Sequence, residues 1–237
     1  MRRIALMVFR CFLKAPWWWF RIWRFGRPGD SHTEQERYDY LRYVVKKANH
    51  AGRVDVISSG VENLPKDNGF ILFPNHQGMF DMLAIIETCP NPVSVVVKKE
   101  AAGIFLVKQV IELLHGMSID RKDIRGAKDI IDRMSDDVKN GRNYVIFAEG
   151  TRSRDGNQIL EFKAGTFKSA VNAGCPIIPV ALINSFCPFD ISSIKREQVQ
   201  VHYLEPLYQN QYMDMKTREI AHLVHDRIQK KIDENMG

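Results

Sequence analysis

The sequence predicts an α/β fold: a single layered domain with a mostly buried central sheet flanked by helices, preceded by two short amphipathic helices at the N-terminus. Three observations lead there. Apolar runs of strand length alternate along the chain with stretches of helical periodicity, the pattern of a layered α/β domain. Some of those runs, such as FILF and PIIPVA, are continuously apolar, as strands covered on both faces need to be. Finally, all four tryptophans lie among residues 1–28, ahead of a linker-like Gly26-Arg27-Pro28-Gly29-Asp30. A chain of 237 residues fits one such domain and can bury a full core.

The N-terminal stretch MRRIALMVFRCFLKAPWWWFRIWRFGRPG interleaves aromatic bulk with Arg2, Arg3, Arg10, Lys14, Arg21, Arg24 and Arg27 and holds no acid. Arg10, Lys14 and the tryptophan run interrupt the apolar stretch a signal peptide needs. The charges at 10, 14, 21 and 24 make a spanning helix costly. Apolar bulk with interleaved cations suits a helix lying in the membrane interface, where each basic residue near an anionic surface contributes about 1 kcal/mol. Pro16 divides the stretch into two helices, roughly 2–14 and 17–25. Trp17, Trp18, Trp19 and Trp23, with Arg21 and Arg24, are the expected anchor residues, and packing of the helices on the protein's own body is the alternative. The expected division is residues 1–28 for the anchor and 29–237 for the folded domain.

Beyond the linker, Glu34–Asn49 reads as a helix with Tyr38, Leu41, Val44, Val45 and Ala48 on one stripe and Gly52 past its end. Candidate strands are Val54–Ile57, Phe70–Pro74, Val93–Val97, Tyr144–Phe147, Ile177–Leu182 and Val199–Tyr203. Further helices are expected over Phe80–Glu87, Ile124–Lys139, Gly165–Asn172 and Lys216–Asp233, the second and third stopped by Asn140-Gly141 and Gly174.

Composition narrows the function classes. The net charge is +6, yet residues 1–28 carry seven of the 34 basic residues, so the remainder sets 27 basic against 28 acidic. A nucleic-acid binder would carry its basic excess on the folded body, so no nucleic-acid partner is expected. Cys11, Cys89, Cys175 and Cys187 form neither a CxxC pair nor a metal spacing with histidine, and read as free thiols in a reducing compartment. No metal site is expected.

A histidine followed five positions on by an aspartate could be a general base oriented by a carboxylate. The spacing occurs three times: His50 with Asp55, His76 with Asp81, and His115 with Asp120. Only His76 lies between a buried-type strand and an apolar helix, where open α/β sheets gather their active sites; a satisfied structural histidine is the alternative. Downstream, YVIFAEGTRSRDG runs a strand into a polar turn of Glu149, Gly150, Thr151 and Arg152, with donors suited to an anion. Lys163 and Gly165 then open another helix.

These residues form four ordered blocks, and with them the chain resembles the glycerophospholipid acyltransferases, especially the bacterial 1-acylglycerol-3-phosphate acyltransferases. NHxxxxD is matched by Asn75, His76 and Asp81. The glycine-led block GxxxIDR is matched, one residue shorter, by Gly116 to Arg121 (GMSIDR), F-x-EGTRS by Phe147 and Glu149 to Ser153, and the PIIPVA strand by Pro176 to Ala181. The blocks cover roughly residues 54–207. Ala148 stands where proline is commoner, and Ala101–His115 is less typical, which leaves the acceptor open.

The resemblance implies an acyltransferase domain over 29–237 in which His76 is the general base for an acceptor hydroxyl and Asp81 orients its ring. Such a base is typically responsible for about 100- to 10,000-fold of rate. The alkoxide would attack an acyl thioester directly, without an acyl-enzyme; no GxSxG elbow is present. Arg121 and Arg152 would bind the acceptor phosphate, with Asn75, Glu149, Gly150, Thr151 and Lys163 shaping the acceptor site. Lys98 and Lys99 are further possible phosphate contacts or a solvated pair. The implied reaction makes phosphatidic acid from lysophosphatidic acid, with acyl-carrier protein or acyl-CoA as co-substrate, no resident cofactor, and anionic lipids of the cytoplasmic membrane face as the surface partner. The same chemistry on glycerol-3-phosphate or another lysophospholipid is the alternative, and a non-catalytic membrane-surface protein a second.

Overall fold

The structure is a computed structural model that describes residues 2–27, 29–99, 103, 105–119 and 124–236. Two short helices, α1 (Arg2–Cys11) and α2 (Ala15–Phe25), precede α3 (Glu34–Ala51). There follow β1 (Val54–Ser59), β2 (Ile71–Pro74), α4 (Asp81–Thr88), β3 (Val93–Lys98), α5 (Phe105–Leu113), β4 (Met117–Ile119) and α6 (Ile124–Lys139). The chain continues through β5 (Asn143–Val145), a 3₁₀ turn at Ala164–Phe167, α7 (Lys168–Ala173), β6 (Ile177–Ile183), α8 (Cys187–Asp190), β7 (Glu197–Tyr203), α9 (Gln209–Tyr212) and α10 (Thr217–Met236).

Among the described residues, seven strands form one sheet in the order β1-β7-β6-β2-β5-β3-β4. All neighbours pair in parallel except β6 and β7, which are antiparallel, so the sheet is mixed. Strand β2 shows why its sequence reads as continuously apolar. Leu72 packs into one hydrophobic cluster and Ile71 and Phe73 into another, so alternate side chains meet helices on opposite faces. The expected strands and helices are all present, within a few residues of the predicted ends. Helix α5 and strand β4 are additions: β4 is three residues long, too short for a period to show.

Pro16 does not break the second helix but sits in its first turn, where the missing N–H would be unpaired in any case. Helix α3 opens on a capping box, with Thr33 Oγ1 accepting from Glu36 N at 3.2 Å and Thr33 N donating to Glu36 Oε2 at 2.7 Å. Its stripe of Tyr38, Leu41 and Val45 is buried as expected.

The N-terminal helices are apolar on two faces. Met7, Ile22 and Phe25 join the core cluster under α3, while Phe9, Phe12, Leu13 and Trp17 are exposed, Leu13 to 90%. Of the expected anchor residues, Trp18 and Arg21 pack on the body, while Arg24 is exposed. Trp18 is buried edge-on against Tyr43, with ring centroids 6.3 Å apart. Arg21 stacks over the Tyr40 ring at 4.3 Å, and Arg24 pairs with Asp30 at 3.0 Å. Trp19 and Trp23 are half-buried. Among the described residues no helix is long and apolar enough to cross a membrane.

Arg3 is the strongest tie between α1 and the body. Although only 1% exposed, it donates to Pro188 O at 3.1 Å, Gly52 O at 2.7 Å and Arg53 O at 3.2 Å, and meets Glu197 Oε1 at 3.4 Å. Arg3→Met keeps the bulk but leaves those acceptors short of a donor, so it should lower the unfolding free energy by about 2–4 kcal/mol. Chemical denaturation checks this, and an unchanged midpoint would mean that apolar contacts alone hold α1.

Candidate active site

The C-terminal ends of the parallel strands β2, β5 and β3 lie side by side. From them the chain runs into His76, into Glu149–Arg152 and into Lys98–Lys99, the strand-end placement at which α/β sheets collect ligands. Residues 76–81 curl so that the aspartate, first residue of α4, turns back on the histidine. His76 Nδ1 lies 2.7 Å from Asp81 Oδ2. That oxygen also accepts from Gln77 N at 2.7 Å and Gly78 N at 3.0 Å. An oxygen already accepting backbone N–H bonds is an acceptor toward the ring too, so the imidazole proton belongs on Nδ1 and Nε2 keeps its lone pair. Asp81 is fully buried, whereas the His76 side chain is 20% exposed. Phe147 stacks on the His76 ring at 4.1 Å between centroids.

Of the three histidine–aspartate spacings, only His76–Asp81 is shown as a contact. His50 is exposed, and its partner Asp55 pairs with Arg196 at 3.3 Å. His115 is exposed at a positive φ of 51°, and Asp120 lies outside the described residues.

The backbone of His76 is held from both sides by the loop after β5. Its N–H donates to Glu149 Oε1 at 2.6 Å, and its carbonyl accepts from Ser153 N at 2.8 Å. Glu149 Oε2 accepts from Leu160 N at 3.2 Å. Arg152, just before Ser153, is half-buried, and Lys163 is exposed with its Nζ against Gly150: a Cβ added at Gly150 would meet it at 2.7 Å. Gly150 has φ +70°, a conformation glycine adopts without strain. Among the described residues no carboxylate lies within ion-pair distance of Arg152 or Lys163. Two cations without acidic partners among the described residues, on segments tied to the histidine loop, have the chemistry to accept an anion.

Other expected site residues are placed differently. Asn75 is fully buried and spends its amide on Leu182, accepting from its N–H at 2.7 Å and donating to its O at 3.0 Å. Glu149 is only 2% exposed, both oxygens engaged. Both side chains hold backbone in place. Thr151 and Lys99 are exposed. Lys98 ends β3, with its side chain outside the described part, and Arg121 lies outside the described residues altogether.

Sequence reasoning overlooked an amide network behind the histidine. Gln77 donates to Asn157 Oδ1 at 2.8 Å and accepts from Ser185 N at 2.7 Å, and Asn157 donates to Asn184 Oδ1 at 2.9 Å. Gln77 adjoins His76, and that adjacency was the one available signal. Behind it, Gly78 has Phe186 Cα 3.3 Å and Asp190 Oδ2 3.4 Å from any added Cβ, so a larger residue would push the loop off its seat.

Burial raises the Glu149 carboxyl from 4.5 to about 7, with the nearby Asp81 charge adding to the rise and the two backbone N–H groups opposing it. Between those values the folded chain keeps a proton that the unfolded chain has lost. The stability this group contributes is therefore present below about pH 4.5 and is lost as pH rises through about 7. Melting curves should show wild type losing ground to Glu149→Gln between about pH 5 and pH 8; a gap independent of pH would mean the carboxyl is not held in a desolvated setting.

Comparison with known proteins follows the same lines. A family model described as Acyltransferase matches residues 55–183. A 1-acyl-sn-glycerol-3-phosphate acyltransferase of Borreliella burgdorferi is 28% identical over 81% of this chain and 78% of its own length. Enzymes of the same name from Salmonella typhimurium and Escherichia coli K12 are each 32% identical over 69% of this chain and 67% of theirs. Among solved structures, the 1-acyl-sn-glycerophosphate (LPA) acyltransferase PlsC of Thermotoga maritima superposes with a TM-score of 0.79 over 100% of this chain and 97% of that one; at 23% identity it shows a shared fold.

Proposed function

This chain belongs to the acyltransferase family, and from that premise we propose that it acylates the free hydroxyl of 1-acyl-glycerol-3-phosphate, making phosphatidic acid. The observation that carries the reading is His76, held at Nδ1 by Asp81 and open at Nε2, on a loop tied to the one that carries Arg152, which with Lys163 has no acidic partner among the described residues. The relatives' names agree in pointing to a phosphate-bearing glycerolipid as acceptor.

In this mechanism His76 Nε2 takes the proton of the acceptor hydroxyl as that oxygen attacks the carbonyl carbon of an acyl thioester. The tetrahedral intermediate then collapses, breaking the C–S bond, and the imidazolium returns the proton to the departing thiolate. An ester and a free thiol result, with no acyl-enzyme. Asp81 stabilises the imidazolium and keeps the ring in its productive tautomer. Arg152, with Lys163 and Arg121, would hold the acceptor phosphate; acyl-carrier protein and acyl-CoA both present the thioester this chemistry uses.

The exposed apolar face of α1 and α2 would lay the domain on the cytoplasmic face of the membrane, where acceptor and product reside. Its lipid-facing apolar members are Phe9, Phe12, Leu13, Trp17 and Phe20, whereas Trp18 and Arg21 pack on the body.

The direct test is acyl transfer in mixed micelles with lysophosphatidate, glycerol-3-phosphate and lysophosphatidylcholine offered separately. Strong selectivity for lysophosphatidate is expected, and preference for another acceptor would overturn the substrate while keeping the chemistry. Arg152→Ala should raise KM for the phosphorylated acceptor by about 10- to 100-fold; an unchanged KM would remove its role. Replacing Phe9, Phe12 and Leu13 together with serine should release the protein from anionic vesicles in flotation, since none of the three is in the core, whereas undiminished flotation would move the anchor elsewhere.

A further inference from the structure

We infer that Glu149 is a positioning residue that locks His76 to the loop carrying Arg152 and makes no contact with the acceptor. The inference rests on the acyl-transfer reading for its kinetic test alone. Its basis is where the carboxylate goes. One oxygen takes the His76 N–H at 2.6 Å and the other the Leu160 N–H at 3.2 Å. With the residue 2% exposed, no room remains for an acceptor group on either oxygen.

The surroundings point the same way. Taking a carboxylate out of water is costly unless a cation accompanies it, and among the described residues no cation lies within ion-pair distance of Glu149. The charged or titratable groups packed round it are Asp81 on α4, itself an acid, His76 on the catalytic loop, Arg152 on its own loop and Lys163, whose Nζ rests over Gly150. Ionised, a buried acid beside another acid does not serve stability. It does supply two acceptor oxygens in a fixed fork, able to bind two N–H groups of separate segments at once. Ser153 N to His76 O closes the lock from the other side. The backbone of the general base and the loop carrying Arg152 thus move as one body.

A carboxylate that bound the acceptor would show in KM; one that positions the base shows in kcat. In the full-length protein in detergent micelles, Glu149→Gln is expected to lower kcat by about 100-fold, the scale of a small misplacement of a reacting group, with KM for lysophosphatidate held within about two-fold. A raised KM with kcat retained would overturn the inference. The pH profile separates positioning from mere support of the fold: wild type loses kcat on the acid side with a steeper slope than the Gln variant, because protonation of Glu149 near 7 adds to the loss. Equal slopes would count against it. Should the variant not fold, nitrogen-15 NMR of wild type decides. The His76 and Leu160 amide protons are expected to shift together with a common midpoint near 7, the value to which burial raises this carboxyl, and amides indifferent to pH there would refute the lock. Absence of transfer to lysophosphatidate by wild type would sink the acceptor assignment while leaving the amide titration to judge Glu149.

Discussion

The Asp81 carboxylate organises the candidate site. It stands at the first position of α4, fully buried, and gathers the N–H groups of Gln77 and Gly78 and the Nδ1 of His76 onto its oxygens. A five-residue spacing does not bring two side chains together on a regular helix; it does so here because the chain curls into a turn before α4 begins, and the carboxylate at the helix N-terminus gives that turn its centre. Without the acid, the loop's N–H groups would point into a low-dielectric interior with no acceptor.

Around that centre the structure builds in shells of backbone and amide hydrogen bonds. Asn75 clasps Leu182 on β6, Glu149 and Ser153 clasp His76 from the β5 side, and Gln77 reaches through Asn157 to Asn184. Each tie joins the His76 loop to a neighbour in the sheet order, so the rigidity of the β6-β2-β5 core passes to the histidine. Arg152 and Lys163, by contrast, have no acidic partner among the described residues.

Much of this was legible in the residues. The strands declared themselves because burial on both faces demands continuously apolar runs, and β2 and β6 obey that demand at every position. The histidine–aspartate pair could be chosen from three by its place between strand and helix. What stayed hidden has a common physical cause: polar residues used against type. Glutamate and arginine normally lie at the surface, so nothing in their sequence neighbourhoods announces that Glu149 and Arg3 are buried struts. The N-terminal helices posed the opposite problem, since both of their faces are apolar and periodicity cannot tell the face that meets α3 from the face left open. Trp18 and Trp17 differ by one position and by 100° of helix rotation, roughly, which is enough to send one to the core and the other outward.

The dependence of the whole site on one acid gives the most direct measurement. Asp81→Asn keeps the size and one acceptor oxygen but permits the wrong imidazole tautomer, so turnover with the native acceptor should fall by about 100- to 10,000-fold while melting shows a folded protein. Turnover within a few-fold of wild type in a folded Asp81→Asn chain would contradict a mechanism in which the carboxylate-held His76 is the base.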